Sequence, residues 1–287
     1  MTMFKAAAIQ MRSGTGIERN AAVFEAMVRE AAGAGAHYIQ TPEMTGALVR
    51  DRAALKAMLR PEDGDIIAAA AGRLSAELGV HIHVGSTAIA APGGKIANRG
   101  FLFGPGGKIA SYDKIHMFDV DLDNGESWRE SATYEAGGRS VVAELPFADL
   151  GMAVCYDLRF PHLFRAQALA GANVLTVPAA FTRQTGEAHW HVLLRARAIE
   201  NGAWLVAAAQ GGTHEDGRET FGHSMIVDPW GRIVAEADGA EPGIVYADID
   251  IAAAADARKK IPNLRNAREF AVEYVGADRV APLKAVS

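Results

Sequence analysis

The sequence predicts a layered α/β fold whose sheets contain both parallel and antiparallel strands. Short apolar runs alternate with longer alanine-rich stretches of helical composition along most of the 287 residues, and this alternation is typical of helices packed on sheets. Two turn sequences, Pro105-Gly-Gly107 and Asp228-Pro-Trp-Gly231, each join two strands as a hairpin. Because hairpins pair antiparallel strands, the sheets are expected to be mixed.

The predicted strands are apolar runs bounded by glycine, proline or charged residues. They cover 4–10, 37–40, 80–85, 98–104, 108–113, 140–145, 151–154, 173–177, 203–209, 223–227, 232–235 and 245–249. The predicted helices are alanine-rich, and several end at glycine, which suits the turn past a helix terminus. They cover 17–34, 63–78, 161–170, 187–200 and 252–260. The polar stretch 116–138 fits neither pattern, and we expect a functional loop there.

Composition narrows the class of protein. The chain is 49% hydrophobic with a formal net charge of −5, which is globular composition without the basic stripe that nucleic-acid binding requires. A single cysteine excludes an intramolecular disulfide framework, and no apolar run approaches membrane-spanning length. The N-terminal segment resembles a first strand more than a signal peptide. We expect a cytoplasmic protein without nucleic-acid or membrane partners, with one domain over 1–275 and a C-terminal tail over 276–287.

The single cysteine, Cys155, stands between an apolar run and the polar turn Tyr156-Asp-Leu-Arg-Phe-Pro161. A free cysteine is often an inert, buried hydrophobic residue. A cysteine that follows a strand and precedes a helix, however, presents its thiol next to backbone N–H groups. Such N–H groups can stabilise negative charge, and we expect them to lower the pKa of the thiol. The position of Cys155 therefore favours a nucleophile over a packing residue.

Two further reactive side chains follow predicted strands. Glu43 comes after 37–40, and Lys114 comes after 108–113. The ends of strands are where α/β sheets collect their active sites, and a cysteine nucleophile needs a proton acceptor or a cation. Taken alone, Glu43 could be a helix cap and Lys114 a solvated lysine paired with Asp113. Sequence spacing does not establish that the three side chains converge.

These residues lie in Thr-Pro-Glu43-Met, Tyr-Asp-Lys114-Ile-His-Met-Phe-Asp-Val-Asp and Gly-Met-Ala-Val-Cys155-Tyr-Asp-Leu-Arg-Phe-Pro. In content and order the three blocks resemble those of the nitrilase superfamily, the carbon–nitrogen hydrolases, and the resemblance extends over residues 4–275. It implies a four-layer αββα sandwich, a Glu-Lys-Cys site without metal or cofactor, and a homodimer or larger homo-oligomer. Later blocks are similar to the branch that hydrolyses deaminated glutathione, next to the omega-amidase branch.

The resemblance also implies the chemical roles of these residues. Cys155 attacks the carbonyl carbon of a small carboxylated amide and forms a thioester, while Glu43 takes up and returns protons. Lys114 and the backbone N–H of Tyr156 face the oxyanion. In the block Trp-Arg-Glu130-Ser, Glu130 orients the lysine or the substrate, although an ordinary loop carboxylate is the alternative.

The same resemblance bears on substrate contacts. It implies that Phe181 and Thr182 line the mouth of the site. Two positions depart from the branch: His162 stands where glutamate is usual, and Glu187 stands where proline is usual. We expect both to lie beside the site and to affect the choice of substrate.

Other functions remain open at this stage. The substrate could instead be 2-oxoglutaramate, an N-carbamoyl amino acid or a nitrile. A metallohydrolase would use His81 and His83, which share one face of a strand, but no further ligand motif accompanies them. His189 and His191 diverge on a predicted helix and do not form a chelate with each other. The last alternative is a non-catalytic scaffold that binds a partner.

Overall fold

The computed structural model describes residues 3–122, 125, 127–272 and 275; the predicted tail over 276–287 lies outside them. The strands are β1 Met3–Gln10, β2 Tyr38–Gln40, β3 His81–Ala90, β4 Ile96–Gly104, β5 Gly107–Asp113, β6 Asp119–Asp121, β7 Ser127–Arg129, β8 Tyr134–Glu135, β9 Val141–Leu145, β10 Ala148–Met152, β11 Val174–Thr176, β12 Trp204–Ala207, β13 Gly211–Thr213, β14 Glu219–Phe221, β15 Met225–Val227, β16 Ile233–Glu236 and β17 Gly243–Asp250. The α-helices are α1 Ile17–Gly33, α2 Arg52–Met58, α3 Ile66–Leu78, α4 Pro161–Leu169, α5 Arg183–Asn201 and α6 Ile251–Lys260.

Two mixed sheets form the centre of the fold. The first has the order β17-β1-β2-β3-β4-β5, with β8 added beside β4, and the second has the order β16-β15-β12-β11-β10-β9. Parallel pairing joins β1, β2 and β3 in one sheet and β10, β11 and β12 in the other. The outer strands of each sheet pair antiparallel, except for the two-residue β8, which pairs parallel with β4. The predicted mixed character of the sheets is confirmed.

The layers follow from the two-residue period of the strands. In β1, Ala6 and Ala8 belong to the core between the sheets, whereas Ala7 and Ile9 belong to the core beneath α1 and α3. Alternate side chains of one strand point to opposite faces, so both faces of this apolar strand are buried. Helices α4 and α5 contact β10 and β12 of the second sheet. The result is the four-layer αββα sandwich, as predicted.

One glycine permits close contact between the two sheets near Glu43. A Cβ atom built on Gly85 in β3 would lie 2.2 Å from the carbonyl oxygen of Thr41 and 2.4 Å from Cβ of Pro178. Thr41 follows β2, and Pro178 follows β11 in the other sheet. Any larger residue at 85 would therefore push apart the segments that carry the site.

Most predicted elements are confirmed within a few residues, and one helix starts earlier where a long-range contact forms. Helix α5 begins at Arg183, four residues before the prediction, and Gly186 within it packs against Phe221. Helix α2 and the short hairpin of β13 and β14 were not predicted from the sequence. The loop 116–138 contains β6, β7 and β8. Among the described residues, no helix is long and apolar enough to cross a membrane.

Candidate active site

Glu43 lies in the turn that follows β2 and is buried. Its Oε1 accepts hydrogen bonds from Asn98 Nδ2 at 2.9 Å and from Lys114 Nζ at 3.0 Å. Its Oε2 accepts one from the backbone N–H of Ala180 at 2.8 Å. The next residue, Met44, has a φ of +54°, which is uncommon without glycine. The strained turn and the three donors fix the carboxylate in one orientation.

Lys114 follows β5 and is 2% exposed. Its ammonium group contacts two carboxylates: Nζ lies 3.0 Å from Glu43 Oε1 and 2.8 Å from Glu130 Oε2. Glu130 starts a short 3-10 helix after β7, and its Oε2 also accepts the N–H of Phe118 at 2.7 Å. The irregular loop therefore brings a second carboxylate into contact with the lysine.

Cys155 opens a 3-10 helix, Cys155–Arg159, after β10 and has a φ of +50°. Its N–H donates to the carbonyl oxygen of Pro178 at 2.9 Å. The buried carboxylate of Asp157 supports this turn, because it accepts the Val154 N–H at 2.9 Å and the Tyr112 hydroxyl at 2.7 Å. The charge of the Glu43 carboxylate acts on this thiol.

The expectation from the sequence that the pKa of the Cys155 thiol is lowered was wrong. Burial, and then the charge of Glu43, raise the pKa of the Cys155 thiol well above its ordinary value, although Lys114 opposes them. Burial also acts to raise the pKa of Glu43, but Lys114 and hydrogen bonds from Cys155 and Asn98 bring it below its ordinary value. The resting pair is a protonated thiol beside a carboxylate base, because a five-residue 3-10 turn does not offset burial and a neighbouring anion.

The buried lysine is firmly protonated. Burial alone would lower its pKa, but the charges of Glu130 and Glu43 outweigh burial and raise the pKa of Lys114 well above its ordinary value. One cation between two anions therefore stands next to the thiol at neutral pH.

A cavity of about 280 Å³ opens above these residues. Cys155, Glu43, Lys114 and Glu130 lie in its wall together with Tyr156, Phe181 and Thr182. All seven candidate residues from the sequence analysis therefore border one cavity. The volume and the mixture of aromatic and polar walls are typical of a site for a small molecule.

The cavity also contains groups that the sequence analysis missed. The guanidinium carbons of Arg218 and Arg50 lie 4.7 Å and 5.5 Å from the ring centre of Trp128, and all three residues line the cavity. Within the described parts of the chain, no carboxylate forms an ion pair with Arg50. Arg218 pairs with Asp216 at 3.4 Å, but its Nε has no hydrogen-bond partner. Asn98 could have been suspected as a polar residue inside an apolar strand, whereas the arginines gave no signal in the sequence.

Two residues singled out in the sequence do not line the cavity. His162 is exposed and packs its edge against His116 and Phe160. Glu187 is also exposed and forms an ion pair with Arg183 at 3.3 Å. The expectation that both sit beside the substrate is not supported by their positions.

The metallohydrolase alternative is not supported by its two histidines. Burial lowers the pKa of His83 to about 3, and its Nδ1 is engaged with the hydroxyl of Tyr38 at 2.8 Å. His81 packs against Phe147. Among the described residues, neither histidine belongs to a group of three metal-ligating side chains.

Comparison with known proteins gives consistent matches over most of the chain. The family model for carbon–nitrogen hydrolases matches residues 5–259. A deaminated glutathione amidase from Synechocystis sp. is 38% identical over 275 residues, which cover 93% of this chain and 98% of that protein. An omega-amidase from Homo sapiens is 32% identical, covering 95% of this chain and 99% of that protein.

A solved structure adds a chemical comparison. A variant of the amidase from Nesterenkonia sp. AN1, which shows the Michael addition of acrylamide at its active-site cysteine, superimposes with a TM-score of 0.74. It is 25% identical in sequence and covers 90% of this chain and 98% of its own. The similarity extends over the whole sandwich and so includes the region of the cavity.

Proposed function

The chain belongs to the carbon–nitrogen hydrolase family, and we propose that it is a cysteine amidase that cleaves a small carboxylated amide through a thioester on Cys155. The observation that carries this proposal is the position of Glu43. Its carboxylate accepts a hydrogen bond from the ammonium group of Lys114, and its charge acts on the thiol of Cys155, which lies in the wall of the same cavity. A base, a nucleophile and a cation in contact are the groups that amide hydrolysis requires.

Acylation begins when the Cys155 sulfur attacks the amide carbonyl carbon and Glu43 takes the thiol proton. The carbonyl oxygen becomes an oxyanion, which faces Lys114 and the N–H of Tyr156. That N–H lies in the first turn of a 3-10 helix, where backbone donors lack intrahelical partners. Glu43 then gives its proton to the leaving nitrogen as the carbon–nitrogen bond breaks, and ammonia or an amine departs.

Deacylation repeats the proton transfers with water. Glu43 takes a proton from the water molecule, whose oxygen attacks the thioester carbonyl carbon. The carbon–sulfur bond then breaks, the carboxylic acid product leaves, and the sulfur regains its proton from Glu43. The same carboxylate acts as base and acid in both halves, which is consistent with its three fixed hydrogen bonds.

Lys114 and Glu130 have supporting electrostatic roles in this proposal. A lysine held between two carboxylates cannot lose its proton at neutral pH, so it remains a fixed positive charge for the oxyanion. Glu130 holds the ammonium group in place through both of its carboxylate oxygens, at 3.0 and 2.8 Å. No step requires a metal or an organic cofactor.

For the substrate, we favour deaminated glutathione or a close analogue, because the relative from Synechocystis sp. is named a deaminated glutathione amidase. Arg50 and Arg218, which both lie over the ring of Trp128, offer guanidinium groups that suit the carboxylates of such a molecule. Tyr156, Phe181 and Thr182 would contact its less polar part. A second candidate is 2-oxoglutaramate, because the omega-amidase from Homo sapiens matches nearly the full chain.

Assembly and location complete the proposal. A homo-oligomer is supported by exposed apolar side chains on α4 and α5, namely Leu169, Val192 and Ile199, since such residues are typical of interfaces. Sedimentation as a 30.4 kDa monomer would contradict pairing. A cytoplasmic location is proposed because Cys155 has to remain a reduced thiol.

The test is a panel of amides assayed for amine or ammonia release. Deaminated glutathione, 2-oxoglutaramate, an N-carbamoyl amino acid and a simple nitrile are compared with the wild-type chain and Cys155→Ala. We expect turnover of an anionic amide by the wild type and none above background by the variant at equal folded content. Turnover that persists in Cys155→Ala would overturn the proposed mechanism.

A further inference from the structure

Three metal-ligating side chains meet outside the catalytic cavity. His191 lies on α5, His223 lies two residues before the start of β15, and Glu236 ends β16. Nε2 of His191 and Nδ1 of His223 each lie 2.8 Å from the same oxygen, Glu236 Oε1. The three ligand atoms all fall within 4.8 Å of one another, and none of these residues lines the cavity above Cys155.

From this arrangement we propose a binding site for one divalent transition-metal ion, with Zn²⁺ as its best-matched occupant. Two imidazoles and one carboxylate form a ligand set that Zn²⁺ takes in proteins, with water in the fourth position. Bonds of about 2.0–2.1 Å in a tetrahedron place ligand atoms about 3.3 Å apart. The present separations reach that spacing by small rotations of the side chains.

The backbone at His223 holds one ligand in place. His223 has a φ of +56°, which is uncommon for a residue other than glycine. Its carbonyl oxygen accepts the indole N–H of the buried Trp190 at 2.9 Å. A Cβ atom built on Gly239 would lie 2.7 Å from His223 Nε2, so glycine at 239 leaves room for the imidazole ring.

Ring packing and exposure fit an ion that arrives from solvent. The ring of Phe221 stacks on His223 at 4.3 Å between centroids and contacts His191 at 5.8 Å. The three ligand side chains are 28–35% exposed, which leaves access for the ion and its water. Binding requires that each imidazole carries its proton on the nitrogen that faces away from Glu236.

An ion at this position would connect α5 to the edge of the second sheet. Helix α5 starts directly after Phe181 and Thr182 of the cavity wall, so the bound ion would stabilise the helix that follows the substrate site. At a free Zn²⁺ concentration of 100 times the dissociation constant, the melting temperature should rise by about 5 °C.

The experiment titrates EDTA-treated, dialysed full-length protein with ZnCl₂ in a calorimeter and with CoCl₂ in a visible spectrometer. We expect one ion per chain and the intense d–d bands of tetrahedral Co²⁺. His191→Gln and Glu236→Gln should each weaken binding by about 10-fold or more. His189→Gln is the matched control, because it removes an exposed imidazole two residues away on the same helix.

The same titration in Cys155→Ala separates this site from metal bound by the catalytic thiol. We expect its stoichiometry and affinity to equal those of the wild type. Absence of binding in the wild type, binding unaffected by His191→Gln and Glu236→Gln, or binding lost in Cys155→Ala would each overturn the proposal. Circular dichroism of the metal-free variants verifies that a lost signal does not reflect unfolding. None of these outcomes depends on amide turnover, so the amidase proposal stands or falls separately.

Discussion

The substitution Glu43→Gln should make the Cys155 thiol more acidic and yet nearly abolish amide hydrolysis. Burial raises the pKa of the thiol, the charge of Glu43 and its hydrogen bond raise it further, and Lys114 lowers it. Glutamine removes the negative charge and leaves the ammonium group in place. The pKa of Cys155 should therefore fall, and a larger fraction of the thiol should be thiolate at a given pH.

The same substitution removes the proton carrier from both halves of the reaction. General acid–base catalysis typically contributes 10²–10⁴-fold, so we expect the turnover number to fall by about 10³-fold or more, equivalent to about 4 kcal/mol. The glutamine also has to face the N–H of Ala180, which now donates to Oε2 at 2.8 Å. Rotation of the amide can place its oxygen toward Ala180 or toward Lys114, but not toward both.

Two measurements on the same preparation test this separation of acidity from activity. The rate of iodoacetamide alkylation as a function of pH reports the thiolate, and since Cys155 is the single cysteine, the signal is unambiguous. Amine release reports hydrolysis. Glu187→Gln is the matched control, because it neutralises an exposed carboxylate outside the cavity. An alkylation midpoint that moves to higher pH would contradict the effect of the Glu43 charge on the thiol pKa. Hydrolysis within tenfold of the wild type would contradict the role of Glu43 as proton carrier.

Three further predictions concern the base, the substrate and the turn. Because burial is outweighed by Lys114 and the pKa of Glu43 lies below its ordinary value, the base stays ionised as pH falls. The ratio kcat/KM should be constant from pH 8 to about 5 and decline only below that; a decline centred near pH 7 would contradict it. Arg50→Gln should raise KM about tenfold for a carboxylated amide, since one charge-assisted hydrogen bond is lost. KM for a neutral amide should not change, and equal effects on both substrates would argue against carboxylate recognition by Arg50. Asp157→Asn should lower the free energy of unfolding by about 2–4 kcal/mol, because the amide cannot accept all the hydrogen bonds made by Val154, Tyr112 and His116. Urea denaturation measures this change, and a loss of stability below about 0.5 kcal/mol would contradict the prediction.

The sequence predicted the layers well because the buried strands have strong local patterns. A strand such as β1 is apolar on both faces, which indicates burial between two layers without any knowledge of its neighbours. The position of Cys155 at a strand-to-helix turn was equally visible. Boundaries were less certain where packing decides them, as at Arg183, where the start of α5 depends on contact between Gly186 and the distant Phe221.

The site could be predicted in its parts but not in its geometry. Glu43 and Lys114 follow strands of the first sheet and Cys155 follows a strand of the second, so their approach depends on how the two sheets pack face to face. The contribution of Asn98 depends on its register in β4, and the raised pKa of the thiol depends on three-dimensional burial. The group of His191, His223 and Glu236 is assembled from three elements that carry no shared motif.

The proposed thioester on Cys155 is tested most directly by the mass of the protein during turnover. Wild-type enzyme is mixed with an excess of its amide substrate, quenched in acid within one turnover, digested, and analysed by mass spectrometry. We expect an acyl group on the peptide that contains Cys155 and none on the same peptide of Cys155→Ala. The acyl group should form and disappear at rates at least equal to the rate of turnover. Steady turnover with no acyl adduct at any quench time, in conditions that preserve thioesters, would contradict it.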